Sequence, residues 1–337
     1  MFNRIAIIGL GLIGASIAKA VKDNNLSHEV IGFDKENKNT SNALKDKVIT
    51  DIGDLKAFTG ENLELIIVAT NLASYPDIAD ILRTAKLSPN IIISDIGSVK
   101  LYPLQIFAEF SDSFIATHPI AGKEISGYQA AAADLFKNKK VIICTDNDPN
   151  LEKLKIIENF WHKIGATTYN LSATFHDKIY ASISHLPQAL IYAENKIINV
   201  PIDNEIFSKH LRLASSNIIL WDEIFKYNKE FLLPLLEKAR ELVFTINDDD
   251  IKKAKEIRQT ISQAPNSEQN ITLPDISYIV ATILVKLASN IELSGSGFKD
   301  STECLLNYKK LTNDKLSIAD RENLSLSIKQ LELDICL

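Results

Sequence analysis

Near the N-terminus the apolar run Ile5–Ile8 meets Gly9-Leu10-Gly11-Leu12-Ile13-Gly14 and then the helix-forming stretch Ala15–Val21. In a strand–turn–helix setting, glycines at this spacing make a cradle for a dinucleotide. Gly9 permits the tight turn, Gly11 lets the backbone approach a pyrophosphate, and Gly14 lets helix and strand pack closely. The backbone through Leu12 and Ile13 opens the helix, whose N-terminal N–H groups and dipole suit a phosphate. The next strand-like run, Val30–Phe33, ends at Asp34. An acid there, about twenty residues past the third glycine, can accept hydrogen bonds from ribose hydroxyls and repels a 2′-phosphate. Gly9, Gly11, Leu12, Ile13, Gly14 and Asp34 are therefore the expected cofactor contacts, and the cofactor is NAD rather than NADP, with Lys35 and Lys38 offsetting part of the repulsion.

Two further segments carry reactive side chains. Ser94-Asp95-Ile96-Gly97-Ser98-Val99-Lys100 follows a fourth strand-like run, and Thr117-His118-Pro119-Ile120-Ala121-Gly122-Lys123-Glu124-Ile125-Ser126-Gly127 follows a fifth. Both are expected beyond the carboxyl ends of strands, where open α/β sheets bind ligands. His118 is the candidate catalyst: a hydride leaves an alcohol carbon readily only if the hydroxyl proton is accepted at the same time, and an imidazole suits that role near neutral pH.

The elements that must position these residues change character along the chain. To about residue 170, β-branched runs alternate with amphipathic stretches: Arg4–Ile8, Glu29–Phe33, Leu65–Ala69, Ile91–Asp95, Phe114–Thr117 and Val141–Cys144. This alternation predicts an α/β fold, an N-terminal Rossmann domain with a doubly wound parallel sheet. From Leu171 onward helical spacing takes over, as in Ile218–Ile246, so an all-α domain is expected to follow. The division is residues 1–170 and 171–337. Asn247–Pro274 reads as a helix followed by an exposed loop. It separates two similar stretches, one running from Ile183-Ser184-His185 to Phe207 and one from Ile276-Ser277-Tyr278 to Phe298, which suggests an internal duplication.

Composition removes other classes. The net charge of -6 comes without a basic run, which argues against nucleic acid and anionic membranes as partners. No apolar run approaches the ~20 residues of a membrane span. Cys144, Cys304 and Cys336 show neither pairing nor metal-ligand spacing, so no metal is expected, and a reducing compartment, the cytoplasm, fits. The N-terminal run, broken by glycines, does not read as a signal peptide.

Taken together, Gly9–Gly14, Gly97–Lys100, His118–Gly127, His176-Asp177, Ser184-His185-Leu186-Pro187 and Arg212–Asn228 resemble the prephenate and arogenate (cyclohexadienyl) dehydrogenases of tyrosine biosynthesis, from the start of the chain to about residue 240. The resemblance implies oxidative decarboxylation: hydride leaves the ring carbon bearing the hydroxyl for NAD, the ring carboxylate departs as carbon dioxide, and aromatisation makes the step irreversible. It implies that His118 binds the ring hydroxyl and takes its proton, that Ser98 bonds and aligns the same hydroxyl, and that Arg212 holds a substrate carboxylate. A planar guanidinium can do the last through two parallel hydrogen bonds. Glu124 matches a gating or orienting acid, His185 a histidine on a helix lining the domain interface, and Trp221 a tryptophan near the substrate. A homodimer through the helical domain is implied as well.

The chain departs from the family pattern in three places. Gln188 stands where many members have a second histidine; it can donate a hydrogen bond but carries no charge near neutral pH, leaving selectivity between the pyruvyl and alanyl side chains open. Ile206-Phe207-Ser208-Lys209 replaces the usual Gly-Phe-Arg/Lys-Asp. That corner occurs later as Gly297-Phe298-Lys299-Asp300, followed by Glu303 where an arginine would be expected. The second copy reads either as a degraded copy used only for packing or as an internal partner that docks and brings Lys299 and Asp300 toward an active site. Two other readings stay open: a different two-domain NAD(P)-dependent hydroxyacid dehydrogenase, whose catalytic lysine has no motif here, and a non-catalytic sensor of NAD or tyrosine.

Overall fold

In the computed structural model the described residues are 1–55, 58–60, 62–123, 125–145, 150–196, 216–261, 275–288, 296–302, 305 and 318–336. They form two units, Met1–His176 and Asp177–Leu337.

The first unit is built on strands that carry continuous apolar runs, such as Ile5–Ile8 and Leu65–Val68, the mark of a sheet covered on both faces. β1 (Phe2–Ile8) and β4 (Leu65–Val68) bury Ile5, Ala6, Ile7 and Ile8 against Leu65, Ile66, Ile67 and Val68. Each such side chain contributes about 1.5–3 kcal/mol relative to exposure. With β2 (Ser27–Phe33), β3 (Asp51–Ile52), β5 (Ile92–Asp95), β6 (Phe114–Pro119), β7 (Lys140–Cys144) and β8 (Thr167–Leu171), they make one sheet ordered β3-β2-β1-β4-β5-β6-β7-β8. Helices α1 (Leu12–Asp23), α2 (Asn37–Lys45), α3 (Tyr75–Thr84), α4 (Leu101–Ile106) and α5 (Leu151–Lys163) connect the strands. The order reverses between β1 and β4, which places a binding crevice at the carboxyl ends of these strands.

The sheet differs from the predicted one in three respects. β7 runs antiparallel to β6, because the long connection from Ile120 to Lys139 holds no crossover helix and simply turns the chain back. β3 is only two residues long and β8, with the half-exposed sequence Thr-Thr-Tyr-Asn-Leu, is an edge strand; neither offers an apolar run to read. Thr117 and His118 lie inside β6, and Ser94 and Asp95 inside β5, rather than beyond the strand ends.

Helix α6 (Ala173–Tyr180) leads into a π-helical turn, Ala181–His185, and α7 (Leu186–Asn195). The predicted single helix over Ile218–Ile246 divides at Asn228 into α8 (Ile218–Tyr227) and α9 (Lys229–Thr245). The side chain of Asn228 turns aside to donate to the Asp177 carbonyl (2.9 Å), and its backbone leaves helical geometry at ψ 19°. Helices α10 (Asp248–Ile261), α11 (Asp275–Leu287), α12 (Ser296–Thr302) and α13 (Ile318–Cys336) complete the second unit. Among the described residues no helix is long and apolar enough to cross a membrane.

Candidate active site

The glycine turn takes the shape its residues require. Gly9 has φ +98°, and a Cβ there would lie 2.5 Å from the Ala69 carbonyl oxygen; a Cβ on Gly14 would lie 1.9 Å from that of Gly9. No side chain fits at either place. Gly11 is different: a Cβ on it would meet nothing within 4 Å. That open ground lies at the N-cap of α1, where Leu12 and Ile13 begin the helix. It is the place where a phosphate can meet backbone N–H groups, and a side chain would intrude on it. The carboxylate of Asp34 accepts from the Leu10 N–H (2.6 Å) and the Glu36 N–H (2.8 Å), so it pins the glycine turn. These residues fit a dinucleotide.

Three strands along the sheet, the ends of β5 and β6 are locked together by a buried ion pair. Lys100 Nζ is 2.6 Å from Asp95 Oδ2 and 2.6 Å from the Thr117 carbonyl oxygen, and both charged side chains are fully buried. Asp95 also accepts from Gly97 N (2.8 Å), Thr117 N (3.2 Å) and the Tyr75 hydroxyl (3.2 Å). Burial pushes the Asp95 carboxyl above its usual range, against the pull of the Lys100 ammonium and the two backbone N–H groups. The pair shapes the loop 96–100, which presents half-buried Ser98, and it grips the backbone immediately before His118.

His118, paired in register with Ile142, has its Nδ1 2.8 Å from Nε2 of His176. His176 is fully buried, and burial together with the nearby Lys100 charge holds its pKa well below the ordinary value, so its ring is neutral. The loop after β6 is tied to the cofactor helix: Ala132 N–H donates to Ser16 Oγ (3.1 Å) and Lys19 Nζ to the Ala131 carbonyl (2.8 Å). The strand that carries His118 and the helix that follows the glycine turn are thus joined by hydrogen bonds through this loop.

In the helical unit, His185 ends the π turn and Gln188 lies in the first turn of α7, both fully buried. Asn228 Nδ2 is 2.8 Å from His185 Nδ1. An amide nitrogen donates, so His185 accepts at Nδ1 and carries its proton on Nε2. Trp221 stands edge to face with His185, ring centroids 6.2 Å apart. Lys299 is an exposed side chain on α12, a helix anchored by buried Phe298 against α7 and the π turn. Arg212 and Glu124 lie outside the described residues, as do Ile206-Phe207-Ser208-Lys209, Gly295, Glu303 and Cys304.

The sequence reading gave no role to Asp95, Lys100 or His176. An acid closing an otherwise apolar, doubly covered strand was the available signal, since a buried carboxylate demands a cation. A cavity of about 480 Å³ lined by Phe2, Asn90, Lys153 and Phe160 opens at the amino ends of β1 and β5, on the edge away from these groups.

Residues 17–170 match the nucleotide-binding domain of prephenate dehydrogenase. The chain is 31% identical over 253 residues to the cyclohexadienyl dehydrogenase of Zymomonas mobilis, covering 70% of this chain and 85% of that one. It is 26% identical over 331 residues to the prephenate dehydrogenase of Lactococcus lactis, covering 88% and 91%. In fold it is similar to Aquifex aeolicus prephenate dehydrogenase in complex with hydroxyphenyl propionate and NAD+, with TM-score 0.68, 23% identity, and 78% of this chain and 93% of that chain covered.

Proposed function

Because the chain belongs to the prephenate dehydrogenase family, we propose that it carries out the NAD-dependent oxidative decarboxylation of prephenate to 4-hydroxyphenylpyruvate, or of arogenate to tyrosine. The observation that carries the reading is the His118–His176 pair, set at the carboxyl edge of the sheet that holds the glycine turn. Residues 1–170 are the cofactor domain and 171–337 the substrate domain, and the reaction runs in the cytoplasm.

NAD, when bound, supplies the hydride acceptor. Gly9, Gly11, Gly14 and the backbone of Leu12 and Ile13 hold its pyrophosphate, and Asp34 its ribose. His118, with Nδ1 committed to His176, takes the ring hydroxyl proton at Nε2 as the carbonyl forms. Ser98 steadies that hydroxyl. Arg212 binds a carboxylate of the substrate, and Gln188, His185 and Lys299 act on its side chain, with Glu124 orienting. Loss of carbon dioxide then sends the electron pair of the broken carbon–carbon bond into the ring, and the phenolate oxygen that aromatisation leaves takes its proton back from the His118 imidazolium.

The test is to incubate the full chain with NAD and either prephenate or arogenate and to follow NADH by absorbance. Formation with one or both supports the reading; no signal with either defeats it. A preference for NADP in the same assay would overturn the role given to Asp34.

A further inference from the structure

Within the helical unit, α9 and α13 run in step. Leu232 matches Leu324, Leu236 matches Ile328 and Val243 matches Ile335 at one constant spacing; all six are buried, and the positions between them agree in exposure almost throughout. Ahead of them, Ile183-Ser184-His185 leads into α7, and Ile276-Ser277-Tyr278 belongs to α11. A pattern kept over two separated helices marks a duplicated module.

The packing says how the two copies are related. α9 lies along α13, and α7 packs on α11, so each helix meets its own counterpart; α7 also packs on α13 and α9 on α11, the two exchanged pairs. Contact between copies far exceeds that between α7 and α9 within the first copy. At the α9–α13 seam, Arg240 Nε stands 3.6 Å from Glu332 Oε1, and these two residues occupy equivalent positions in their copies. Counterpart against counterpart, with the α7–α13 contact answered by α9–α11, is the pattern of a two-fold dimer, here closed within one chain.

We propose that α7 and α9 form an internal dimer with α11 and α13, in which the second helical copy is the built-in partner of the first. The two copies divide their roles. The first holds His185, Gln188 and Asn228, all buried, where the second has Tyr278, Ala281 and Asp320. The second copy lacks that histidine, glutamine and asparagine and keeps the apolar face that covers α7 and α9. Fusing the copies makes their pairing independent of protein concentration, as a tethered partner is always present. At these helices the internal pair takes the place of the homodimer that the family likeness implies. The catalytic consequence, one active site per chain and activity per chain unchanged on dilution, rests on the dehydrogenase reading; the pairing itself does not.

The test needs no substrate. Equal amounts of ordinary and ¹⁵N-labelled full-length chain are unfolded together, refolded and treated with a reagent joining lysines to carboxylates. Peptides linking α9 to α13 should be wholly light or wholly heavy. Mixed links, or no α9–α13 links, would overturn the proposal. As a second arm, R240E and E332R should each lower the thermal midpoint, and the two together in one chain should restore it. Restoration by mixing the two single variants, or none in the double variant, would equally overturn it. A chain inactive toward both substrates but showing only unmixed links would sink the function and leave the internal dimer standing.

Discussion

His118 and His176 meet edge to face, ring centroids 5.1 Å apart, with Nδ1 of the first 2.8 Å from Nε2 of the second. His176 is neutral, so for His118 to accept a proton at Nε2 its own hydrogen must sit on Nδ1 and be donated to His176. In the proposed reaction His176 is a positioning residue, which fixes the tautomer and orientation of His118 and accepts from the imidazolium that forms.

Replacing His176 with Phe removes that acceptor. kcat should fall about 10²-fold or more, on the scale of a misdirected general base, with KM little changed. His176→Asn, whose amide oxygen can accept, should recover part of the loss, and the acid limb of the kcat pH profile should move in the Phe variant. Equal losses in both variants with an unmoved profile would reduce His176 to packing.

The same residue makes stability depend on pH. In the folded chain its pKa is lowered from 6.5 by burial and by Lys100, with His118 as its hydrogen-bond partner; in the unfolded chain it returns to its ordinary value. The unfolded state therefore binds more protons as pH drops below about 6.5, and stability present above that pH is lost below it, by up to about 1.4 kcal/mol per pH unit from this group. Urea midpoints measured from pH 7.5 down to 5 should show this slope in the wild type and a shallower one in His176→Asn.

The Asp95–Lys100 pair lies wholly in the interior. Lys100→Met should destabilise by about 3–5 kcal/mol, because it strands a buried carboxylate. Adding Asp95→Asn, which removes the stranded charge and keeps an acceptor for one of the Gly97 and Thr117 N–H groups, should recover part of that. Chemical denaturation of the three variants decides the matter; a double variant no better than the single would contradict the pairing.

The glycines of the turn should separate folding from cofactor binding. Gly14→Ala forces its methyl onto the Gly9 carbonyl and should lower the thermal midpoint and NAD affinity together. Gly11→Ala meets only open space in the protein, so its midpoint should stay near wild type while NAD affinity, measured by calorimetry, drops. A large loss of stability in Gly11→Ala would show that the ground above it is not open.

Sequence alone determined the features that are local. The turn from Gly9 to Gly14 and the acid at Asp34 are legible because backbone sterics and chain reach fix them within about thirty residues, and apolar runs such as Ile5–Ile8 announce a doubly covered strand wherever they pair. His118 could be singled out as the candidate base from its chemistry and setting alone. Tertiary structure decided what depends on partners far apart in the chain. It turned β7 against β6, buried Lys100 on Asp95, and set His176 behind His118, a neighbour lying 58 positions along the sequence. It also bent the long helix at Asn228, whose side chain is claimed by Asp177 and His185. A buried ion pair or an imidazole pair carries no periodicity, because its physical basis is low dielectric and hydrogen-bond satisfaction, and those exist only once the chain has closed around them.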